Sequence, residues 1–225
     1  MDSSSLINIK KAIDQACSSA GRSKDCVKLL AVSKQQSAEA IAALHAQGQR
    51  EFGESYISES VAKISALPRD IIWHFIGPIQ SNKCQAIAKN FDWVQSVDRS
   101  KVLQRLNRFR EGMGKLSVCL QINISDEVNK QGCKVGELDA LAELTDQLPN
   151  LDLRGIMAIP LKTDDSATIT SQFQTMSSLF QQLQSRFDTV DTLSLGMSSD
   201  YELAIANGST CVRVGTALFG RRVPL

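Results

Sequence analysis

The sequence predicts a (β/α)8 TIM barrel with an extra N-terminal helix. Three observations lead there. Eight short apolar runs recur along the chain, amphipathic stretches of helical spacing lie between them, and the connections are short, with no linker rich in Pro, Gly or Ser. Strands alternating with helices pair in parallel, and eight repeats permit closure. The length of 225 residues matches the roughly 200–250 residues of such a barrel, so 1–225 is read as a single domain. An open doubly wound sheet would call for a glycine-rich turn after the first strand, and Ser33-Lys34-Gln35-Gln36 is not one.

The extra helix comes first: Leu6, Ile9, Ile13, Ala16 and Ala20 recur at helical spacing, and Gly21 offers a C-cap. The run 27–32 is the first strand, and the other seven are expected at 50–52, 72–76, 93–97, 116–124, 153–159, 192–195 and 211–214. Among the intervening helices the clearest stripe is Ile169, Phe173, Met176, Phe180, Leu183 and Phe187. A second is Val135, Leu138, Leu141, Leu144 and Leu148, closed by Pro149. Both stripes are read as faces turned to the core.

Composition narrows the function classes. Hydrophobic residues make up 43% of the chain and the net charge is +1, which gives neither a nucleic acid nor a membrane surface the concentrated basic patch it needs. No apolar run is long enough to span a bilayer. Met1-Asp2-Ser3-Ser4-Ser5 lacks the charged and apolar regions of a signal peptide, so a cytoplasmic location is expected. Cys17, Cys26, Cys84, Cys119, Cys133 and Cys211 are scattered without a C-x-x-C, and are read as reduced core residues rather than a disulfide or zinc framework.

Active sites of such barrels lie at the C-terminal ends of the strands. Past the seventh strand comes Gly196-Met197-Ser198-Ser199; the eighth carries Arg213 and runs into Gly215-Thr216. Ser199-Asp200-Tyr201-Glu202 has the form of a capping box, so a helix is expected to start there with its N–H groups free for a phosphate. Ser198 and Thr216 add hydroxyls and Gly215 a close backbone approach, although each is also an ordinary turn residue. Lys34, just past the first strand, would be partly dehydrated in the barrel mouth, which favours a neutral amine able to form an imine. Closure brings the first strand beside the eighth. A lysine amine beside a phosphate cradle suits a phosphorylated aldehyde, whether cofactor or sugar. Arg213 can only donate hydrogen bonds; facing a pyridine nitrogen it would leave that nitrogen unprotonated and the ring a weak electron sink. It could equally be a structural ion-pair partner.

At these residues the chain resembles the pyridoxal-phosphate homeostasis protein family, single-domain relatives of the alanine racemase barrel. The matching stretches are Leu30-Ala31-Val32-Ser33-Lys34, Phe52-Gly53-Glu54, the block from Trp73-His74-Phe75-Ile76-Gly77-Pro78 to Lys83, Arg154-Gly155-Ile156-Met157-Ala158-Ile159-Pro160, Leu193-Ser194-Leu195-Gly196-Met197-Ser198 and Val212-Arg213-Val214-Gly215-Thr216-Ala217-Leu218-Phe219-Gly220. The resemblance implies an alanine-racemase N-terminal-domain-like barrel. It also implies pyridoxal 5′-phosphate held as a Schiff base on Lys34, its phosphate on Ser198, Ser199, Gly215 and Thr216, and Arg213 facing the ring nitrogen. The implied role is intracellular vitamin B6 homeostasis with little or no turnover, with apo forms of enzymes that use the cofactor as partners. Family members commonly carry Asn where this chain has Ser55. Lys130 matches a lysine that offers some relatives a secondary cofactor site. His74 is read as a family residue with either a structural or a catalytic role.

The alternative is an amino-acid racemase. That family takes a second base from an appended β-domain across a dimer interface, and the sequence, ending at Leu225, is expected to lack one. Neither of the two tyrosines, Tyr56 and Tyr201, falls where a second base is needed, and a monomer is expected. A cofactor-free sugar-phosphate lyase would need a carboxylate base beside Lys34, and none is identified.

Overall fold

The computed structural model describes residues 4–127 and 130–220. Residues 1–3 of the stretch read for a signal peptide, and Asn129 beside Lys130, lie outside them. Among the described residues eight parallel strands close into a barrel in chain order: β1 (Lys28–Val32), β2 (Glu51–Glu54), β3 (Ile72–Phe75), β4 (Trp93–Val97), β5 (Leu116–Ile122), β6 (Leu151–Ala158), β7 (Thr192–Ser194) and β8 (Cys211–Val214). The helices are α1 (Ser4–Ser19), α2 (Ala38–Ala46), α3 (Ile57–Ala66), α4 (Cys84–Asn90), α5 (Ser100–Arg110), α6 (Leu138–Gln147), α7 (Ser166–Gln184), α8 (Tyr201–Ala206) and α9 (Thr216–Phe219). The expected TIM barrel and its extra N-terminal helix are both present.

Helix α1 ends as Gly21 implies. Its φ of 66° is open to glycine at no steric cost. The Arg22 N–H reaches back to Cys17 O at 2.9 Å and the Gly21 N–H to Ser18 O at 3.1 Å, a Schellman closure. The turn aims the Arg22 guanidinium at Ile205 O and Ser209 O, 2.7 and 2.8 Å away, and so ties α1 to the end of α8.

The main core lies between sheet and helices. Helix α7 buries Phe173, Met176, Phe180 and Leu183, four of the six stripe residues, while Ile169 and Phe187 pack at its margins. Burial of each such side chain is worth about 1.5–3 kcal/mol. In the second stripe Leu138 and Leu141 are buried on α6, but Val135 is exposed, because a short 3-10 turn precedes the helix and rotates it off the apolar face. The cysteines are free; five are buried and Cys26 is half-buried.

Three strand boundaries depart from the expectation by two residues, and others by one; the sixth strand starts at Leu151 rather than 153. The second strand was expected to stop at Phe52, yet it continues through Gly53 and Glu54, which pair with Val32, His74 and Phe75. Both are weak strand formers whose placement here is tertiary. The fifth ends at Ile122 rather than 124, because the Asn123 N–H turns away to Cys133 O. Closure sets β1 against β8, with Leu30 opposite Arg213 and Ala31 opposite Val214. That register brings the residues after β1 and β8 to one mouth.

Candidate functional site at the C-terminal mouth

Lys34 is half-buried in the turn after β1. The turn is clamped on both sides of it. On one side the Ser33 hydroxyl donates to Glu54 Oε1 at 2.6 Å, and Lys63 Nζ donates to Ser33 O at 3.0 Å. On the other, Gln35 takes a positive φ of 60° and its N–H donates to Glu59 Oε1 at 2.7 Å. Lys63 ties the two halves together, bonding Glu54 Oε1 at 2.9 Å as well as Glu59 Oε1. Lys63 and Glu54 are both buried, and Glu54 Oε2 has no hydrogen-bond partner. Burial pushes the Glu54 carboxyl above its ordinary value, against Ser33 and Lys63, which hold it down. The sequence reading passed over Glu54, Glu59 and Lys63 as a site. The signal was the i, i+4 spacing of Glu59 and Lys63 on the helix that follows a strand ending in glutamate.

Gly215 stands against the same segment from the other side. A Cβ placed on it would lie 3.3 Å from Val32 O and 3.4 Å from Val32 Cβ, so β8 and the approach to Lys34 are in close contact there. Thr216 opens α9 with an exposed side chain. Ser198 and Ser199 are exposed in the β7–α8 loop.

The expected capping box is not formed. Helix α8 begins at Tyr201, and its N-cap is Asp200 rather than Ser199. The reason is local: Asp200 Oδ1 accepts the Met197 N–H at 2.6 Å, and the Asp200 and Tyr201 N–H groups both return to Met197 O. The turn this closes begins at Gly196, where φ is +91° and a Cβ would strike Ala204 Cβ at 2.7 Å, so only glycine fits. Ser199 is thereby left in the loop beside Ser198, with its hydroxyl outside the helix.

Arg213 is buried on β8. Its Nη1 donates to Ser194 O at 2.8 Å and Ser194 Oγ at 2.7 Å, and its Nη2 to Ala158 O at 2.9 Å. Burial draws its value down, but guanidinium remains a cation in proteins. No carboxylate pairs with it in these bonds, so the ion-pair alternative is set aside in favour of neutral acceptors.

A cleft of about 950 Å³ joins part of this set. Ser198 and Ser199 line it together with Lys130, Tyr201 and the loop after β6, while Lys34, Arg213, Gly215 and Thr216 are not in its walls. Lys130 Nζ, beside the cleft, is already engaged with Glu127 Oε2 at 2.6 Å, Pro160 O at 3.0 Å and Ser125 Oγ at 3.1 Å. It is a structural cation of its loop as much as a wall of the cleft. Ser55, the position where relatives commonly carry Asn, is half-buried.

An amine in a clamped turn, three exposed hydroxyls with a glycine at close approach, and a buried cation that only donates make up the donor set of this mouth. It fits a phosphorylated aldehyde with a ring acceptor. If Ser198 and Thr216 hold the phosphate, replacing either by Ala weakens retention of the phosphorylated ligand by about 1.5–3 kcal/mol, the worth of a hydrogen bond to a charged group. The dephosphorylated aldehyde, titrated in parallel, binds poorly and is indifferent to both changes. Equal sensitivity of the two ligands would remove the phosphate from this loop pair.

Comparison with known proteins agrees with the fold and the motif set. The family model for the alanine racemase N-terminal domain matches residues 5–223. A pyridoxal phosphate homeostasis protein of Pseudomonas aeruginosa is 48% identical over 221 residues, 96% of this chain and 94% of that one. PipY of Synechococcus elongatus, solved with pyridoxal phosphate bound, is 35% identical with a TM-score of 0.77, covering 92% of this chain and 100% of that one. An alanine racemase of Corynebacterium glutamicum shares the fold at a TM-score of 0.70 and 14% identity, over 98% of this chain and 62% of its own. The chain belongs to the pyridoxal phosphate homeostasis protein family, within the wider family of alanine racemase N-terminal domains.

Proposed function

We propose that the chain binds pyridoxal 5′-phosphate covalently on Lys34 and keeps it in the barrel mouth as a single-domain cytoplasmic carrier of vitamin B6, with little or no turnover. The observation that carries this reading is the β1–β8 pairing, which sets Gly215 against Val32 and so brings the segment before Lys34 beside the end of the strand that carries Arg213. The homeostasis role named for the Pseudomonas relative and the cofactor bound in PipY support it. When bound, the cofactor contributes an aldehyde open to an amine and a phosphate open to hydrogen-bond donors.

The residues then divide the work. Lys34 supplies the amine, and the clamps on Ser33 and Gln35 fix the backbone that carries it. Ser198, Ser199, Gly215 and Thr216 would hold the phosphate. Arg213 would face the ring nitrogen as a donor that gives it no proton, which would favour holding over electron withdrawal. Among the described residues no second base stands out. Burial, and then Glu202 beside it, push the Tyr201 phenol above its ordinary value, so at neutral pH it is a poor proton acceptor. Large exposed apolar side chains, such as Ile7, Tyr56, Met113 and Ile159, sit on separate elements, which supports a monomer. No helix among the described residues is long and apolar enough to cross a membrane.

The test against an enzyme is α-proton exchange from alanine and other amino acids in deuterium oxide, with the cofactor fully loaded. One base suffices for exchange, so it is more sensitive than racemisation. Stoichiometric binding with very slow exchange is expected. Rapid exchange that disappears in Lys34→Ala would make the protein a racemase-type enzyme.

A further inference from the structure

Barrels of this kind usually fill their interior with branched aliphatic side chains. Here the separate interior cluster is Trp93, Cys119 and Met157. Around it stand buried His74, Gln95, Ser194 and Arg213, which burial would penalise unless they bonded one another. They do. Arg213 Nη1 donates to Ser194 Oγ at 2.7 Å, and Ser194 Oγ donates to Gln95 Oε1 at 2.7 Å across the barrel from β7 to β4. Gln95 Nε2 lies 3.0 Å from His74 Nδ1, and His74 Nε2 lies 3.4 Å from Glu51 Oε2 at the start of β2. Hydrogen bonds thus join four side chains from β8 to β3, and at the far end His74 Nε2, which makes no hydrogen bond, lies at ion-pair distance from Glu51 near the N-terminal mouth.

The Arg213 end dictates the direction, and the carboxylate at the far end agrees with it. A guanidinium can only donate and a carboxylate can only accept. Ser194 must therefore pass its proton side to Gln95, the amide must offer its NH2 to His74 Nδ1, and the imidazole proton must sit on Nε2, facing Glu51. Surrounding groups agree with a neutral ring. His74 stacks on Trp93 with centroids 5.1 Å apart, and burial lowers its value against the pull of Glu51 and Asp92. Burial raises Glu51, but His74, Lys28 and Arg154 outweigh it and keep the carboxyl below its ordinary value.

We propose that His74, Gln95 and Ser194 are positioning residues that orient the Arg213 guanidinium through this one-directional hydrogen-bond relay, with Glu51 facing its far end. The consequence for the cofactor rests on the reading that Arg213 faces its ring nitrogen; the relay itself does not.

The test uses the full chain in two forms. In cofactor-free protein, long-range proton–nitrogen correlation spectra read the His74 tautomer, and the Arg213 Nη resonances read rotation of the guanidinium. Wild type should show His74 protonated on Nε2 alone and separate, slowly exchanging Arg213 Nη signals. Gln95→Leu, which does not touch Arg213, should average those signals. Gln95→Glu should place a proton on His74 Nδ1, because an oxygen then faces it. Gln95→Met repeats the first test if the leucine variant melts abnormally. In loaded protein, Gln95→Leu should shift the absorbance maximum of the bound cofactor while leaving it attached to Lys34. A wild-type His74 protonated on Nδ1, or Arg213 signals indifferent to both Gln95→Leu and Gln95→Met, would overturn the relay. Loaded spectra identical in wild type and variant, with the Arg213 signals averaged, would overturn its link to the cofactor alone.

Discussion

Lys34→Ala is expected to abolish the visible absorbance of the loaded protein while leaving its melting temperature within a few degrees of wild type. The side chain is half-buried in a turn and contributes nothing to the sealed core between sheet and helices. The turn is braced on either side of it by the bonds of Ser33 and Gln35 to Glu54, Lys63 and Glu59. Loss of the amine therefore separates linkage from folding. Residual cofactor binding through the phosphate loops should persist, weaker and colourless at the imine wavelength. An unchanged band would place the linkage on another lysine; a collapsed melting curve would mean that Lys34 is structural.

The largest effect on stability is expected at Lys63. It is buried, and its ammonium serves Ser33 O and the carboxylates of Glu54 and Glu59 together. Lys63→Met keeps much of the volume but strands Glu54 in a site that burial already disfavours for a charge. Removing one partner of a buried pair costs about 3–5 kcal/mol. For a domain of this size that lowers the melting temperature by roughly 10 °C. Adding Glu54→Gln should recover a large part of the loss, since the amide needs no counter-charge. Because the same ammonium braces the residue before Lys34, the single variant should also retain cofactor less well. If the double variant is no more stable than Lys63→Met alone, the ion pair is not what Lys63 contributes.

The sequence made the barrel legible because its signals are local. Alternation of apolar runs with helical stripes, the Gly21 terminator and the order of the eight strands are written in spacing, and the structure keeps them. Boundaries were lost where a tertiary contact overrode propensity, as at Gly53-Glu54, which joins the sheet because both neighbouring strands pair with it. The capping box at Ser199 was misread for a similar reason: Asp200 one residue later folds its carboxylate back onto the Met197 N–H and takes the N-cap itself. Of the proposed site residues, Lys34, Ser198, Ser199, Gly215 and Thr216 could be named from their positions after strands, and Arg213 from its place on the eighth strand. The clamp of Glu54, Glu59 and Lys63 is close in sequence, but its place at the site comes from its bonds to Ser33 and Gln35 after another strand; the interior line from Glu51 to Arg213 could not be named, because its members are far apart in sequence and meet only when the barrel closes.

The most direct measurement is borohydride reduction of the cofactor-loaded protein followed by peptide mass mapping. Reduction should bleach the colour and fix one cofactor mass on the peptide that carries Lys34, with none on Lys63, whose ammonium is taken up in the clamp, or on Lys130, which is bonded to Glu127, Ser125 and Pro160. A label on any other lysine as the principal product, or no label on protein that has bound cofactor, would contradict the assignment of Lys34.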